Sequence, residues 1–297
     1  MLVIGSRGSQ LALWQARWVQ ARLAELGLES RIEIIKTTGD KVLSVPLSSV
    51  GGKGLFTKEI EDALLAREID LAVHSLKDLP TEIPAGLQIT AIPQREDPRD
   101  AMVGRRLSEL REGARVGTSS LRRSAQLRQL RPDLQVESVR GNVDTRLRKL
   151  DEGQYDSIVL AAAGLTRLGW TSRIAEFLEP ELMCPAVGQG ALAVETRIGE
   201  NTCRVLDHAQ TRAAVTAERA LLSALGGGCS TPIGAHARVE REQLHLMAIV
   251  LSADGARSVR DTAQGPATEA RRIGRELAEK LLEQGAAQLL DRSEPLA

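Results

Sequence analysis

One order of strand-like and helix-like segments occurs twice along the chain, and this repeat limits the possible folds more than any other feature. Apolar runs and helical periodicity predict, in the first copy, strand 2–5, helix 9–26, strand 31–37, helix 53–67 and strand 69–75. Ser9 is the predicted N-cap of the first helix. A β-α-β-α-β order implies a mostly parallel sheet with helices packed on it.

The second copy begins after the polar stretch QREDPRD. It predicts strand 114–117, helix 119–130, strand 134–139, helix 142–153 and a buried strand within 155–164 that runs into a loop. A further strand is predicted at 191–196, and it could return to the first copy and make that domain discontinuous. Two similar α/β lobes follow from this pattern.

The last third of the chain has a different pattern. A strong helix at 211–225 ends at glycines and is followed by strand 235–240, strand 244–252, strand 258–264 and an amphipathic helix from about 267 to 284. We expect a smaller α+β domain with an antiparallel sheet. The predicted domains are 1–93 with 190–207, then 96–186, and then 211–297.

Composition excludes several classes of protein. The formal net charge is zero, which argues against a nucleic-acid partner. No apolar run reaches the ~18 residues of a membrane span, and MLVIGSRGSQ does not read as a secretory signal, so we expect a cytoplasmic protein. Of the 39 basic residues, 32 are arginine, the side chain best suited to bidentate binding of carboxylates.

Basic and hydroxyl side chains are concentrated in loops that follow predicted strands. These loops read SRGSQ, TTGDK, HSLKDLPT, GTSSLRR and RGNVDTR. Ligands bind at the carboxyl ends of strands in α/β sheets, and helix N-termini attract anions. The pattern predicts a cleft between two domains for a ligand with several negative groups, bound by Arg7, Arg122, Arg123, Arg140 and Arg146. Any one of these arginines taken alone could equally be solvated surface.

Three other polar side chains in the loops keep more than one possible role. Asp78 could cap a helix, pair with Lys77 or stabilise a cation. His74 could be an acid or base, or a hydrogen-bonded structural residue. Lys53 lies in GGKGLFTKE, which lacks the spacing of a nucleotide-binding phosphate loop and is interpreted as a mobile glycine-rich lid.

Cys229 stands in GGGCSTPIGA, where a cysteine has little to pack against. The three cysteines are odd in number and widely spaced, so they predict neither a disulfide framework nor a metal site. Covalent attachment of a group or nucleophilic catalysis would explain Cys229. Cys184 and Cys203 are interpreted as packed small residues.

Ten stretches of this chain resemble the porphobilinogen deaminase family, also called hydroxymethylbilane synthases. They are SRGSQLALWQ, KTTGDK, GGKGLFTKEIEDALL, AVHSLKDLPT, REDPRDA, GTSSLRR, RGNVDTRLRKLDEG, AAAGLTRLG, PAVGQGALAVE and GGGCSTPIGA. They occur in the family's order as far as residue 235. Gln10 departs from the family, which often has proline there, and the residues after Cys229 are Ser-Thr. Neither departure touches a site residue.

The resemblance implies an assembly reaction. A dipyrromethane cofactor would be attached through a thioether to Cys229. Four molecules of porphobilinogen would be joined head to tail with loss of ammonia, and water would release hydroxymethylbilane. The implied partner is this small-molecule substrate, with no nucleic acid, membrane or metal, and we expect a monomer.

The resemblance also implies roles for individual residues. Asp78 would hydrogen-bond pyrrole N–H groups and stabilise the positive charge that develops during condensation. The residues implied in cofactor binding, besides Cys229, are Ser75, Lys77, Thr118, Ser120, Arg122, Arg123 and Arg146. The residues implied in substrate binding are Arg7, Ser9, Gln15, Lys53, Arg140, Arg167 and Gln189.

The main alternative is a non-catalytic, two-lobed binding protein for a polycarboxylate. Periplasmic binding proteins share the expected α/β lobes but have no use for Cys229 or a third domain. A thiol acyl-transferase would explain Cys229 but not the arginine loops. The effector lobe of a transcription regulator would need a helix-turn-helix, which the sequence does not predict.

Overall fold

The computed structural model describes residues 1–41, 57–228 and 231–290. Two predicted site residues, Lys53 and Cys229, lie outside these described residues, as does much of the predicted glycine-rich lid.

The chain divides into two compact units. The first comprises Met1–Glu96 and Gly190–Arg212, and the second comprises Asp97–Gln189 and Ala213–Ala297. The second unit thus contains both the predicted second lobe and the predicted third domain. The finer division into three domains stays a prediction.

Within the described residues, both units contain strands and helices. The strands are β1 Leu2–Ser6, β2 Ser30–Ile34, β3 Leu71–Ser75, β4 Leu87–Ala91, β5 Asp100–Val103, β6 Arg115–Gly117, β7 Gln135–Glu137, β8 Ser157–Ala161, β9 Ile174–Leu178, β10 Leu192–Arg197, β11 Ile233–Glu240, β12 Gln243–Leu251 and β13 Ser258–Pro266. The α-helices are α1 Gln10–Glu25, α2 Thr38–Lys41, α3 Lys58–Leu65, α4 Leu121–Leu130, α5 Val143–Asp151, α6 Ala162–Arg167, α7 Ala209–Ala224, α8 Ala270–Glu283 and α9 Ala286–Leu290. None of these helices is both long and apolar enough to cross a bilayer.

The two five-stranded sheets have matching strand orders. The first runs β2-β1-β3-β10-β4 and the second β7-β6-β8-β5-β9. In the first sheet β1 is parallel to β2 and β3, while β10 is antiparallel to both its neighbours. In the second sheet β5 takes the same antiparallel place. The prediction of two similar lobes with mostly parallel sheets is confirmed.

The first helix forms where its cap and apolar face predict it. The Ser9 hydroxyl accepts a hydrogen bond from the Ala12 N–H at 3.3 Å, which satisfies one of the free donors of the first turn. Val19 and Leu23 are fully buried against Ile4 and Leu71 of the sheet. Each such side chain contributes roughly 1.5–3 kcal/mol through removal of apolar surface from water. This packing fixes the start of α1 beside the end of β3.

Several described elements differ from the predictions, and they include the short helices α2 and α9, which were not predicted. Strands β4, β5 and β9 were not predicted, and the buried strand within 155–164 ends in a helix rather than a loop. After Ala161 the chain enters α6 because alanines favour helix and Leu165 is fully buried on it.

The third sheet is antiparallel, with the order β11-β12-β13. The apolar residues of α7 and α8 pack in one buried cluster with β11 and β12, which includes Ala217, Leu221, Leu246 and Leu277. The predicted antiparallel sheet and amphipathic helix are confirmed. Close approach of the two helices is possible because α8 carries a glycine, Gly274, at the contact.

We predict that Gly274→Ala destabilises the protein. A Cβ at this position would lie 2.2 Å from the carbonyl oxygen of Ala217, which is backbone of α7 and cannot swing away. We expect a loss of roughly 1–3 kcal/mol from overpacking, although alanine alone would favour the helix by roughly 0.8–1 kcal/mol. Urea unfolding measures this change, and Glu279→Ala, exposed on the same helix, should stay within about 0.5 kcal/mol of wild type. Unchanged or higher stability of Gly274→Ala would contradict the packing.

Candidate functional site

A pocket in the first unit lies at the carboxyl end of β3. Residues at the starts of α1 and α3 contribute to its lining, and helix N-termini attract anions. Its polar lining residues are Arg7, Ser9, Gln15, Thr57, His74, Ser75 and Asp78. Five of the predicted site residues therefore lie together here.

Ser75 is held in place by Gln15. The buried side-chain amide of Gln15 donates a hydrogen bond of 2.8 Å to the Ser75 hydroxyl oxygen. Because that oxygen is acting as an acceptor, the hydroxyl proton of Ser75 stays available to donate to a ligand. The pair thus presents one defined donor at the end of β3.

Asp78 is exposed on a short 3₁₀ turn, Leu76–Asp78, directly after β3. Leu76 and Leu79, which flank it, are buried and anchor the turn. The backbone N–H of Leu76 also donates to the carbonyl oxygen of Ala191 at 3.0 Å. A rigid turn therefore holds a solvated carboxylate at the pocket. Lys77, its neighbour, is half-buried.

His74 and Glu195 form a buried pair at the same end of β3. The His74 Nε2 lies 3.0 Å from a carboxylate oxygen of Glu195 on β10. The sequence left an acid-base role and a structural role open for His74, and Glu195 was not singled out. Its position inside the apolar run ALAVET was the available signal, since a carboxylate buried in a strand requires a partner.

A buried ionic network occupies the corresponding part of the second unit. Asp100, fully buried at the start of β5, accepts hydrogen bonds from Arg122 at 2.7 Å and from Arg123 at 2.7 and 3.0 Å. The side-chain amide of Gln189 donates to the same carboxylate at 2.8 Å. Burial alone would raise the pKa of Asp100, but the two guanidinium groups outweigh it and hold that pKa well below its usual range.

The internal bonds of Arg122, Arg123 and Gln189 were not predicted from sequence. Arg122 also donates to the Cys184 carbonyl oxygen at 2.6 Å, and Arg123 to the Val159 carbonyl oxygen at 3.0 Å. Most donors of Arg123 are thus satisfied inside the protein, while Arg122 uses Nη1 for two internal acceptors. Both side chains are buried, and neither is the freely exposed clamp that the loop GTSSLRR suggested. The missed partner is Asp100, the last residue of the polar stretch QREDPRD.

The remaining predicted residues of the second unit lie on the loops that begin α4 and α5 or at the end of α6. Ser120 is the N-cap of α4, and its N–H donates to the buried Thr118 hydroxyl at 3.2 Å. Arg146 donates from Nε to the Gly141 carbonyl oxygen at 2.8 Å. Arg167 is buried at the end of α6, and Arg140 is half-buried with no hydrogen bond or ion pair from its guanidinium to any described residue.

The two described cysteines are packed thiols. Burial raises the pKa of Cys184 to about 12 and that of Cys203 to about 11, which removes thiolate character at neutral pH. Their interpretation as packed residues is confirmed. Cys229, which lies outside the described residues, is therefore the remaining candidate for reactive thiol chemistry.

Comparison with known proteins gives concordant matches. A family model described as "Porphobilinogen deaminase, dipyromethane cofactor binding domain" matches residues 2–204. A second, described as "Porphobilinogen deaminase, C-terminal domain", matches residues 212–283.

Curated relatives match over nearly the whole chain. A porphobilinogen deaminase of Geobacter metallireducens is 52% identical, covering 97% of this chain and 93% of its own. A porphobilinogen deaminase of Pelobacter propionicus is 51% identical, covering 98% and 96%. Among solved structures, a periplasmic substrate-binding protein from Coxiella burnetii is 12% identical with a TM-score of 0.43, covering 69% of this chain and 90% of its own. The fold assignment rests on the strand orders given above.

We predict that Asp100→Asn destabilises the second unit by roughly 3–5 kcal/mol, because two buried guanidinium groups lose their countercharge. The folded-state pKa of Asp100 is lowered, so its contribution is present above the unfolded pKa of about 3.9 and is lost as pH falls through the folded value. Urea unfolding should therefore show a constant difference from wild type between about pH 5 and pH 8.

Asp133→Asn is the matched control for this experiment. Asp133 pairs with Arg131 in a solvated position, and its loss should cost less than about 1 kcal/mol. Equal losses in the two variants would show that the Asp100 network does not stabilise the fold as its burial implies.

Proposed function

Because the chain belongs to the porphobilinogen deaminase family, it joins porphobilinogen head to tail into hydroxymethylbilane with release of ammonia, and we propose which of its residues perform this reaction. The family's dipyrromethane cofactor, when bound, supplies the pyrrole carbon to which porphobilinogen is joined. Nothing in the family matches supports the alternative of a non-catalytic binding protein. The observation that carries the residue assignment is the pocket at the end of β3, which brings Asp78 together with four other residues implied by the resemblance.

The residues present fit a cofactor that carries carboxylates. Dipyrromethane has an acetate and a propionate on each ring, so its binding requires cationic donors. The Nε of Arg122 is buried and has no acceptor among the described residues. The guanidinium of Arg140 likewise makes no bond within the described part of the chain. A buried donor without an acceptor costs about 1–3 kcal/mol, which a bound carboxylate would recover.

We assign cofactor binding to the second unit on this basis. The Nε–H of Arg122, which does not bond to Asp100, would donate to a carboxylate of the cofactor. Asp100 would keep Arg122 and Arg123 charged and oriented. Arg123 acts chiefly in this orienting network. Thr118, Ser120 and Arg146 would donate from the starts of α4 and α5, where helix N-termini favour negative charge. For Ser75 and Lys77, which belong to the first unit, the proposed role in cofactor binding is the one that the family resemblance implies.

Substrate carboxylates would be bound by the remaining predicted residues. Arg7 and Ser9 line the pocket at the start of α1, and Gln15 orients the Ser75 hydroxyl as a donor. Arg140, Arg167 and Gln189 belong to the second unit, and Lys53 would add a further cation. Bidentate arginine contacts fix the plane of each carboxylate, so these residues would orient the rings as well as bind them.

Asp78 would stabilise the reacting ring electrostatically. Condensation develops positive charge on a pyrrole ring, and a carboxylate that accepts hydrogen bonds from its N–H lowers the energy of that state. The anchored 3₁₀ turn holds the carboxylate in position before reaction, and such preorganised groups contribute roughly 3–4 kcal/mol each.

Cys229 would carry the cofactor through a thioether. The residues on either side of it are tied together, since the Thr231 hydroxyl donates to the Gly228 carbonyl oxygen at 2.7 Å and accepts from the Gly228 N–H at 3.2 Å. Gly226 has a φ of +64°, a conformation that favours glycine. These contacts fix Gly228 and Thr231, the described residues that precede and follow the proposed attachment point.

We also propose that the chain acts as a monomer in the cytoplasm. The apolar residues of α8, its most amphipathic helix, are buried against α7, β12 and β13, which leaves that face covered within one chain. The free, buried thiols of Cys184 and Cys203 fit a reducing compartment.

Asp78→Asn should abolish most turnover without harming the fold. We expect kcat to fall by roughly 100–1000-fold, because one preorganised electrostatic group is lost, while urea stability stays within about 0.5 kcal/mol since the side chain is exposed. Asp78→Glu should also be impaired, because the carboxylate moves by one methylene. The control is Asp151→Asn, an exposed aspartate on α5. A near-normal rate in either Asp78 variant would remove this residue from the mechanism.

Intact mass measures the covalent anchor directly. The purified protein should be heavier than its polypeptide by two condensed pyrrole units, and Cys229→Ser should have the bare polypeptide mass. Cys203→Ser is the matched control and should retain the added mass. A bare wild-type mass that stays unchanged after incubation with porphobilinogen would refute the proposed attachment.

A further inference from the structure

Three ionisable side chains are buried together beneath α3 in the first unit. His74 is 6% exposed, Glu195 is fully buried, and Glu61 on α3 is 7% exposed. His74 pairs with Ala193 and Ala72 pairs with Glu195 in the antiparallel register of β3 and β10, so all four share one face of the sheet. Ala72 packs in the cluster formed by Ile60 and Leu64, which places this face under α3.

The two carboxylates of the cluster are not fully satisfied. One carboxylate oxygen of Glu195 is hydrogen-bonded to the Nε2 of His74. The other oxygen of Glu195 has no partner among the described residues. One oxygen of Glu61 is likewise buried without a partner. Burial and the nearby Glu195 raise the pKa of Glu61 above its usual range, which favours its neutral form. A stable fold does not require such a concentration of buried charge, and functional sites often contain one.

The imidazole of His74 connects this cluster to the pocket. His74 lines the same pocket as Asp78. Its Nε2 is occupied by Glu195, and its Nδ1 makes no hydrogen bond to any described residue. A carboxylate on one ring nitrogen fixes the tautomer, because the Nε2–H donates to Glu195 and a lone pair is left on Nδ1. A neutral imidazole held in this way is a proton acceptor.

The reaction requires one proton acceptor for each condensation. The bond between the aminomethyl carbon and nitrogen of porphobilinogen breaks, and its electron pair leaves with ammonia. A new bond forms from that carbon to the free α-carbon of the attacking ring. The attacking ring then loses its α-hydrogen as a proton to recover aromaticity, and this proton finally leaves with ammonia as ammonium. In the second, third and fourth condensations the attacking ring is the porphobilinogen unit that was added in the preceding step.

We propose that His74 accepts the α-proton of the attacking ring and that Glu195 is its positioning residue. The inference rests on the function proposed above, in which Asp78 must stay ionised to stabilise the positive ring. If Asp78 took up the proton, it would lose its negative charge at the moment when that charge stabilises the ring. The proton acceptor and the stabilising carboxylate are therefore different residues. Glu195 stabilises the imidazolium that forms, and a neutral Glu61 avoids a second buried negative charge beside it.

Isotope effects on turnover test the proton acceptor. Porphobilinogen deuterated at its free α-carbon is compared with the protonated substrate in wild type, His74→Gln and His245→Gln. His245 is a half-buried histidine on β12 and serves as the control. General-base loss typically lowers a rate by roughly 100–10,000-fold, and slower proton removal should raise the isotope effect of His74→Gln at least about twofold above that of wild type. His245→Gln should match wild type.

The two possible failures are distinguishable. Absence of hydroxymethylbilane with wild type would refute the proposed function itself. Normal wild-type turnover, with an unchanged isotope effect in a folded His74→Gln variant, would overturn the role of His74 alone. A slow variant with an unchanged isotope effect would indicate a structural role and would also overturn the proposal.

Ring-nitrogen NMR of labelled histidine tests the geometry without turnover. We expect the neutral ring of His74 to carry its proton on Nε2 in wild type. In Glu195→Gln this tautomer preference should weaken and kcat should fall, because the Nε2–H loses its carboxylate acceptor and the imidazolium loses its countercharge. The other charged groups near the ring, Glu61, Asp78 and Arg7, are unchanged in that variant. A neutral ring protonated on Nδ1 would overturn the proposal, and this measurement remains decisive if His74→Gln fails to fold.

Discussion

The buried carboxylate of Asp100 organises the second unit. It stands at the start of β5, the one strand of its sheet that runs against its neighbours, and it binds two consecutive arginines of α4. Arg122 also donates a hydrogen bond to the Cys184 carbonyl oxygen, in the segment 184–189. Gln189, at the end of that segment, donates to the Asp100 carboxylate. An unpaired charge at this depth would cost several kcal/mol, so each partner depends on the others. Placement of β5, α4 and residues 184–189 thus depends on one acidic side chain.

The alternation of residues along β3 explains how one strand end serves two purposes. Successive side chains point to opposite faces of a sheet, so Ser75 reaches Gln15 on α1 while His74 reaches Glu195 on the α3 side. Asp78 follows one 3₁₀ turn later. A hydrogen-bond donor, an imidazole and a carboxylate therefore meet at one pocket without a long loop to position them.

Periodicity and capping predicted most of the fold because both act locally. The Ser9 cap, the apolar face of α1 and the alternation in the last three strands are visible in short windows of sequence. Strands β4, β5 and β9 were missed because sheet neighbours distant in the chain stabilise them. β5 has only four residues, and its partners lie near residues 160 and 177. Such pairings leave no periodic signal.

The same distinction applies to the site. The loops after strands predicted Arg7, and the family resemblance implied Ser9, Gln15 and Ser75, all of which lie with Asp78 in the pocket. Neither signal could show that Arg123 is largely satisfied by Asp100, or that His74 has a buried carboxylate beside it, because both partners come from distant segments. An arginine in a binding loop has several N–H donors. Its burial determines how many of them bond to acceptors inside the protein and how many remain for a ligand. In Arg122 the protein uses one terminal nitrogen twice and leaves Nε unpaired, which makes that atom the strongest structural argument for a bound carboxylate in this unit.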